Sequence, residues 1–149
     1  MSQEFKLEQL DKNQQKLIPF YIMVENIIRS FGLNPEECRK DAGRWAFYRG
    51  SAMVIIDIYH SDPNNEDYIL VSSPVVRIPK TNVEKFFQRI LEINHFMYQA
   101  SFSIKEGQTY LRILRETRNL DAAEIEAMFQ RVGYYADEYD DILKQEFPV

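Results

Sequence analysis

The chain has 149 residues, enough for one ordinary domain, and with 45% apolar and 13% aromatic residues its composition is globular rather than disordered. Its net charge of −5 sits at one end: residues 121–149 hold eight acidic and two basic side chains, the rest fifteen acidic and sixteen basic, so no basic face points to nucleic acid. The single cysteine, Cys38, excludes an internal disulfide, the polar start "MSQEFKLEQLDKN" predicts no signal peptide, and the longest apolar runs fall far short of a membrane span, so a soluble, cytoplasmic protein is expected.

Residues 1–15 are charged and amide-rich and are expected to form a loose or helical arm on a single domain spanning 1–149. "LIPFYIMVENIIRSFGL" follows. Pro19 suits a first helical position and Gly32 the residue past a helix end. Phe20, Val24, Ile27, Ile28 and Phe31 recur at helical spacing. "NPEECRKDAG" reads as a connector with room for one helical turn.

The period then changes to two. "RWAFYRGSAMVIIDIYH" predicts a hairpin turning at Arg49-Gly50, with Tyr48 opposite Ser51 and Trp45 opposite Val54. One face is then Trp45, Phe47, Val54 and Ile56. The other holds Arg44, Ala46, Tyr48, Met53 and Ile55. "HSDPNNED" is a loop by composition, and "YILVSSPVVRIP" a third strand in which Pro74 calls for an edge position or a bulge.

"KTNVEKFFQRILEINHF" predicts a helix with Thr81 and Glu84 at capping-box spacing and Val83, Phe86, Phe87, Ile90 and Leu91 on one side. "ASFSIKEGQTYLRILRE" folds at Glu106-Gly107, with Lys105 opposite Gln108 and Phe102 opposite Leu111. Its second face carries Ser101, Ser103, Tyr110, Arg112 and Leu114. The last helix opens on Asp121 and Glu124, again at capping-box spacing, and runs through Ile125, Phe129, Val132, Ala136, Tyr139 and Leu143 in steps of four and three. The order α-β-β-β-α-β-β-α makes an α+β fold: an antiparallel five-stranded sheet with helices on one face.

The stretch from Val83 to Leu143, "VEKFFQRILEINHFMYQASFSIKEGQTYLRILRETRNLDAAEIEAMFQRVGYYADEYDDIL", resembles the YbjN family of bacterial sensory transduction regulators. In that pattern a helix ends in a Leu-x-x-x-Asn-like turn, here Leu91 to Asn94 with altered spacing. A hairpin with a glycine turn, a polar break and a long helix with an acidic tail follow. The family is similar in fold to type III secretion chaperones, and the strand order fits that fold over nearly the whole chain. The resemblance implies a noncatalytic, dimeric bacterial domain that binds a peptide or another protein. It transfers no individual site residue.

Catalytic and ligand signatures are sparse. His60 and His95 stand at a strand end and a helix end and form no motif with Cys38, so surface imidazoles and a partly buried thiol are expected. "DPNNED" places oxygens at alternating positions but has Asp67 where a calcium loop needs glycine and Ser73 where it needs glutamate. No glycine-rich phosphate loop is present, and no cofactor is expected. Asp57 is the one carboxylate inside an apolar strand. Asp137, Glu138, Asp140 and Asp141 make a candidate acidic patch, either an exposed helix end or an attraction for basic partners.

The reverse face of the sheet is richer. Tyr48, Met53, Ile55, Tyr110 and Leu114 lie there, with Tyr59 and Leu70 beside them, where a solvated sheet would turn polar. Tyrosine and methionine suit an adaptable contact surface, so these five are the candidate surface for a partner or for a homodimer. The expected function is a protein- or peptide-binding module of chaperone-like or regulatory kind, with no nucleic-acid or membrane partner and no enzyme activity. The alternatives are a ligand-binding or enzymatic domain with a pocket between helices and sheet, and a structural subunit of a larger assembly.

Overall fold

The computed structural model describes residues 9–148. The expected arm at 1–15 therefore lies partly outside the described residues; its end forms α1 (Lys12–Lys16), opened by a reciprocal capping box between Asp11 and Gln14. Then come α2 (Ile18–Ser30), α3 (Pro35–Cys38), β1 (Arg39–Asp41), β2 (Arg44–Arg49), β3 (Ala52–Ser61) and β4 (Glu66–Arg77). The second half is α4 (Val83–Phe96), β5 (Ser101–Lys105), β6 (Gln108–Glu116) and α5 (Ala122–Glu146). No described helix is long and apolar enough to cross a membrane.

The strands form one antiparallel sheet in the order β1-β2-β3-β4-β6-β5. It has six strands rather than the expected five. The extra one, β1, lies in the segment read as a connector and pairs with β2 at the sheet edge. The α+β class holds, and the helices lie on the expected side. Trp45, Phe47, Val54, Ile56, Phe102 and Leu111 are all buried. Helix α5 crosses β2, β3, β4 and β6, and α2 packs on α5. Ile125, Phe129, Val132, Ala136 and Leu143 face the sheet, as their spacing requires, and Tyr139 is half-buried. The Phe47 and Phe129 rings meet edge to face at 5.8 Å, and Phe102 and Tyr139 at 5.7 Å, so one helix ties both ends of the sheet together.

Turn chemistry explains both hairpins. Glu106 (φ 53°) and Gly107 (φ 79°) are both left-handed, as a type I′ turn demands, and Lys105 pairs with Gln108 in the expected register. The first hairpin differs from expectation. Arg49 pairs with Ala52 and Tyr48 with Met53, so the turn is Gly50-Ser51 rather than Arg49-Gly50. Gly50 carries the positive φ (61°) at the first turn position, the type II′ pattern. Each partner moves by two residues, which preserves the faces.

Two other expectations change. The cap of α4 is Asn82, left-handed at φ 56° and making no side-chain cap bond, not the Thr81–Glu84 box. The buried face of α4 is Phe86, Ile90 and Ile93, which leaves Phe87 and Leu91 exposed. The Asp121–Glu124 box forms in full. Pro74 sits in a central strand and is accommodated by a bulge between Pro74 and Arg77. Thr109 repairs the ladder there: its buried hydroxyl accepts from the Val76 N–H at 3.0 Å and donates to the Val76 carbonyl at 2.5 Å.

Close packing of α5 on β2 depends on Gly133, where a Cβ would stand 2.9 Å from Cβ of Arg49. Alanine in mid-helix normally gains about 1 kcal/mol over glycine. Here the neighbouring atom is fixed to the strand backbone, so Gly133→Ala is expected to destabilise the fold by about 1–3 kcal/mol. Urea unfolding of the two proteins measures it.

Candidate functional site

Strand alternation and the observed registers bring the five candidate residues onto one face of the sheet. Tyr48 stands opposite Met53, and Tyr110 opposite both Pro74 and Ser103. The next row is Ala46, Ile55, Ser72, Arg112 and Ser101. The third is Arg44, Asp57, Leu70 and Leu114. Tyr59 and Tyr68 follow, their rings 5.8 Å apart. None of these side chains is fully buried, whereas the central alternate positions Phe47, Val54, Ile56, Val71, Leu111 and Ile113 are. Tyr48 is 63% exposed and Leu114 45%. Met53, Ile55 and Tyr110 are half-buried by one another and by the sheet itself.

The face is not flat. Ile55, Asp57, Leu70, Ser72, Tyr110 and Arg112 line a shallow depression of about 430 Å3. Asp57 lies on its floor and forms a 3.5 Å ion pair with Arg44 directly across the strands. Burial pushes its carboxyl up from the ordinary range and Arg44 opposes that shift. Arg112 and Lys105, which also line it, make no ion pair among the described residues, so the depression holds two cations beyond the Arg44–Asp57 pair. Ile55, Leu70, Ile104 and Tyr110 set among these polar and charged groups suit an extended segment carrying both apolar and charged side chains.

The acidic candidates do not act as one patch. Asp137 accepts from the Ser51 N–H at 3.2 Å and from the Ser51 hydroxyl, so it clamps the β2–β3 turn to α5. Asp140 pairs with Lys144 at 3.0 Å. Only Glu138 and Asp141 point freely to solvent.

A second concavity, about 490 Å3 and open to solvent, lies at the ends of β2 and β3 beside α1, and is lined by both Asp57 and His60. His60, expected at the surface, has a side chain only 10% exposed. Its Nδ1 lies 2.7 Å from Asp67, and its Nε2 lies 3.7 Å from Asp62. Asp57 is committed to Arg44 and His60 to Asp67, and Cys38 is buried elsewhere, at the end of α3. Among the described residues no group of three or more His, Cys, Asp or Glu is placed to hold a metal ion.

A second apolar surface was not anticipated. Leu91 on α4 is 68% exposed and Phe96 79%, with Phe87 and Tyr98 also exposed. Two structural side chains also escaped sequence reasoning. Asn94 closes the edge of β5: its Oδ1 accepts from the Phe102 N–H at 2.7 Å and its Nδ2 donates to the Phe102 carbonyl at 3.3 Å. Glu25 gathers donors from Arg39 and Trp45 beneath α2. Its signal was a carboxylate set between Val24 and Ile27 in an apolar stripe.

The sequence model of one protein family, YbjN, described as "Putative bacterial sensory transduction regulator", matches residues 22–145. No curated protein matches the sequence. Among solved structures, the fold is similar to a chain of the ExsC–ExsE complex, at 14% identity and TM-score 0.63, covering 90% of this chain and 97% of that one. It is similar to a chain of the HopA1–SchA chaperone–effector complex, at 9% identity and TM-score 0.64, covering 89% and 98%. The third is the heterodimeric ExoU–SpcU complex from the type III secretion system of Pseudomonas aeruginosa, at 9% identity and TM-score 0.58, covering 79% and 95%. At these identities the likeness is one of fold, the type III secretion chaperone-like fold.

Proposed function

The chain belongs to the YbjN family, and from that premise we propose that it is a noncatalytic protein-binding module, chaperone-like or regulatory, acting as a single domain in the bacterial cytoplasm. The observation that carries this reading is the open face of the sheet, where Tyr48, Met53, Ile55, Tyr110 and Leu114 stay accessible although the alternate positions Phe47, Val54, Ile56, Leu111 and Ile113 are buried. A face of this kind captures an apolar segment of a partner by area, while Arg44, Asp57 and Arg112 set its register. Solved relatives of the fold are complexes of a chaperone with an effector in one case and a heterodimer of a secretion system in another, which supports a protein as the bound species.

The homodimer is assigned to the other apolar surface, Phe87, Leu91, Phe96 and Tyr98 on and after α4. The two roles then rest on different residues and separate experimentally. Ile55→Asp with Leu114→Asp is expected to abolish partner capture from native lysate, read by pull-down and mass spectrometry against the unaltered chain. Far-UV circular dichroism is expected to stay unchanged, which shows that the variant folds. Leu91→Glu is expected to reduce the light-scattering mass to that of the 17.7 kDa chain while capture persists. If the aspartate variant folds and still captures every partner, the sheet face is not the binding surface.

A further inference from the structure

A third concavity, apart from the sheet face and from α4's exposed stripe, has a lining that is apolar within and cationic at the rim. The bulge between Pro74 and Arg77 shifts the register of β4, which stays paired with β6 through Arg77–Gln108 and the Ile78 N–H to the Gly107 carbonyl, beside Phe86 of α4 and the end of α5. The space left is about 400 Å3, within the roughly 300–1,000 Å3 of small-molecule sites. Val76, Ile78, Phe86, Leu143 and Phe147 form its walls. Phe86 and Leu143 belong to the buried core, and the Phe86 and Phe147 rings meet edge to face at 5.2 Å. A bidentate ion pair from Arg89 to Glu146, at 2.8 and 3.0 Å, ties the end of α5 to α4 and so fixes that aromatic corner.

The charged groups in the lining are Arg77, Lys80 and Lys144, with no carboxylate among them. This is unusual in a chain of net charge −5. Lys144 is shared with Asp140, but Arg77 and Lys80 have no ion-pair partner among the described residues. By contrast Arg39, Arg44, Arg89, Arg115 and Arg118 are all paired with carboxylates. Two unmatched cations over a greasy cleft complement one chemistry: an anionic head on an apolar tail.

We infer that this cleft binds a small amphipathic carboxylate, an alkyl acid whose chain lies against Phe86, Leu143 and Phe147 while its carboxylate meets Arg77 and Lys80. The site is separate from the sheet face and shares no lining residue with the depression there.

The test is isothermal titration of the full chain with decanoate below its micellar concentration, beside decylammonium as the same tail with the opposite head. Decanoate is expected to bind at least about tenfold more tightly than decylammonium, and added salt to narrow the gap. Arg77→Gln with Lys80→Gln, both at exposed positions, is expected to weaken decanoate at least about tenfold without moving the unfolding midpoint. Amide shifts on titration are expected at Phe86, Leu143 and Phe147. Equal affinity for the two heads, unchanged affinity in the double variant, no binding at millimolar decanoate, or shifts centred on Ile55 and Tyr110 would each overturn the assignment. The first three of these outcomes leave partner capture by the sheet face untouched, so the two readings fail separately.

Discussion

Replacing Glu25 with alanine is expected to cost about 3–5 kcal/mol, the range for stranding one member of a buried ion pair. Glu25 is 7% exposed on α2 and receives three donors: Arg39 Nε at 2.8 Å, Arg39 Nη2 at 2.6 Å and the Trp45 indole N–H at 2.8 Å. It therefore joins three elements, α2, β1 and β2. The alanine variant leaves a guanidinium nearly enclosed and an indole N–H unpaired beside the Tyr21 ring, whose centroid lies 5.5 Å from that of Trp45. Against a total stability of about 5–15 kcal/mol this is a large fraction. Removing both charges, as Glu25→Leu with Arg39→Leu, is expected to restore part of the loss, because no buried charge is then stranded and the indole N–H is left without its acceptor at about 1–3 kcal/mol. Denaturant midpoints of the two variants decide it. A single variant losing under about 1 kcal/mol would mean that water reaches Arg39 freely.

This pair also marks where reading a sequence stops. The apolar stripe of α2 was legible, and Val24, Ile27 and Ile28 are buried as their spacing requires. A glutamate inside that stripe ordinarily turns to solvent; its burial depends on an arginine and a tryptophan brought in by tertiary packing. Strand β1 was hidden for a related reason. Three charged residues, Arg39 to Asp41, show no alternation, and their pairing is dictated by β2. On α4, Phe87 and Leu91 fit an apolar stripe as well as Ile93 does. Periodicity says which residues share a side, not whether that side meets the core or a partner.

The candidate surface survived a wrong register because of side-chain parity. With the turn at Arg49-Gly50, Arg44 would face Ile55. Moving the turn to Gly50-Ser51 shifts each partner by two, so Arg44 meets Asp57 while Tyr48, Met53 and Ile55 keep their side. An error of one residue would have sent them into the core. Face membership was therefore readable and the ion pair on that face was not. The cleft between α4 and α5 was beyond reach altogether, since it arises from a bulge whose exact placement depends on Thr109.

Gly43→Ala is expected to destabilise the fold by about 2–5 kcal/mol, and a second glycine separates the two causes. Gly43 joins β1 to β2 at φ 78°, and Gly32 follows α2 at φ 81°, so alanine at either position meets about the same left-handed cost of about 1–2 kcal/mol. Their surroundings differ. A Cβ at Gly32 meets nothing within 4 Å, whereas one at Gly43 would stand 2.6 Å from the Ile58 carbonyl oxygen and 3.0 Å from the Tyr21 hydroxyl. The carbonyl belongs to β3, whose Ile58 N–H already donates to the Gly43 carbonyl at 2.8 Å, so neither backbone can retreat without breaking that bond. Overpacking of this kind adds about 1–3 kcal/mol. Gly32→Ala is thus expected to lose only the conformational part, and the difference between the two unfolding free energies isolates the backbone contact. Equal losses would show that the β1–β2 corner yields, and with it the wall that Gly43 shares with Asp57 and His60 in the concavity beside α1.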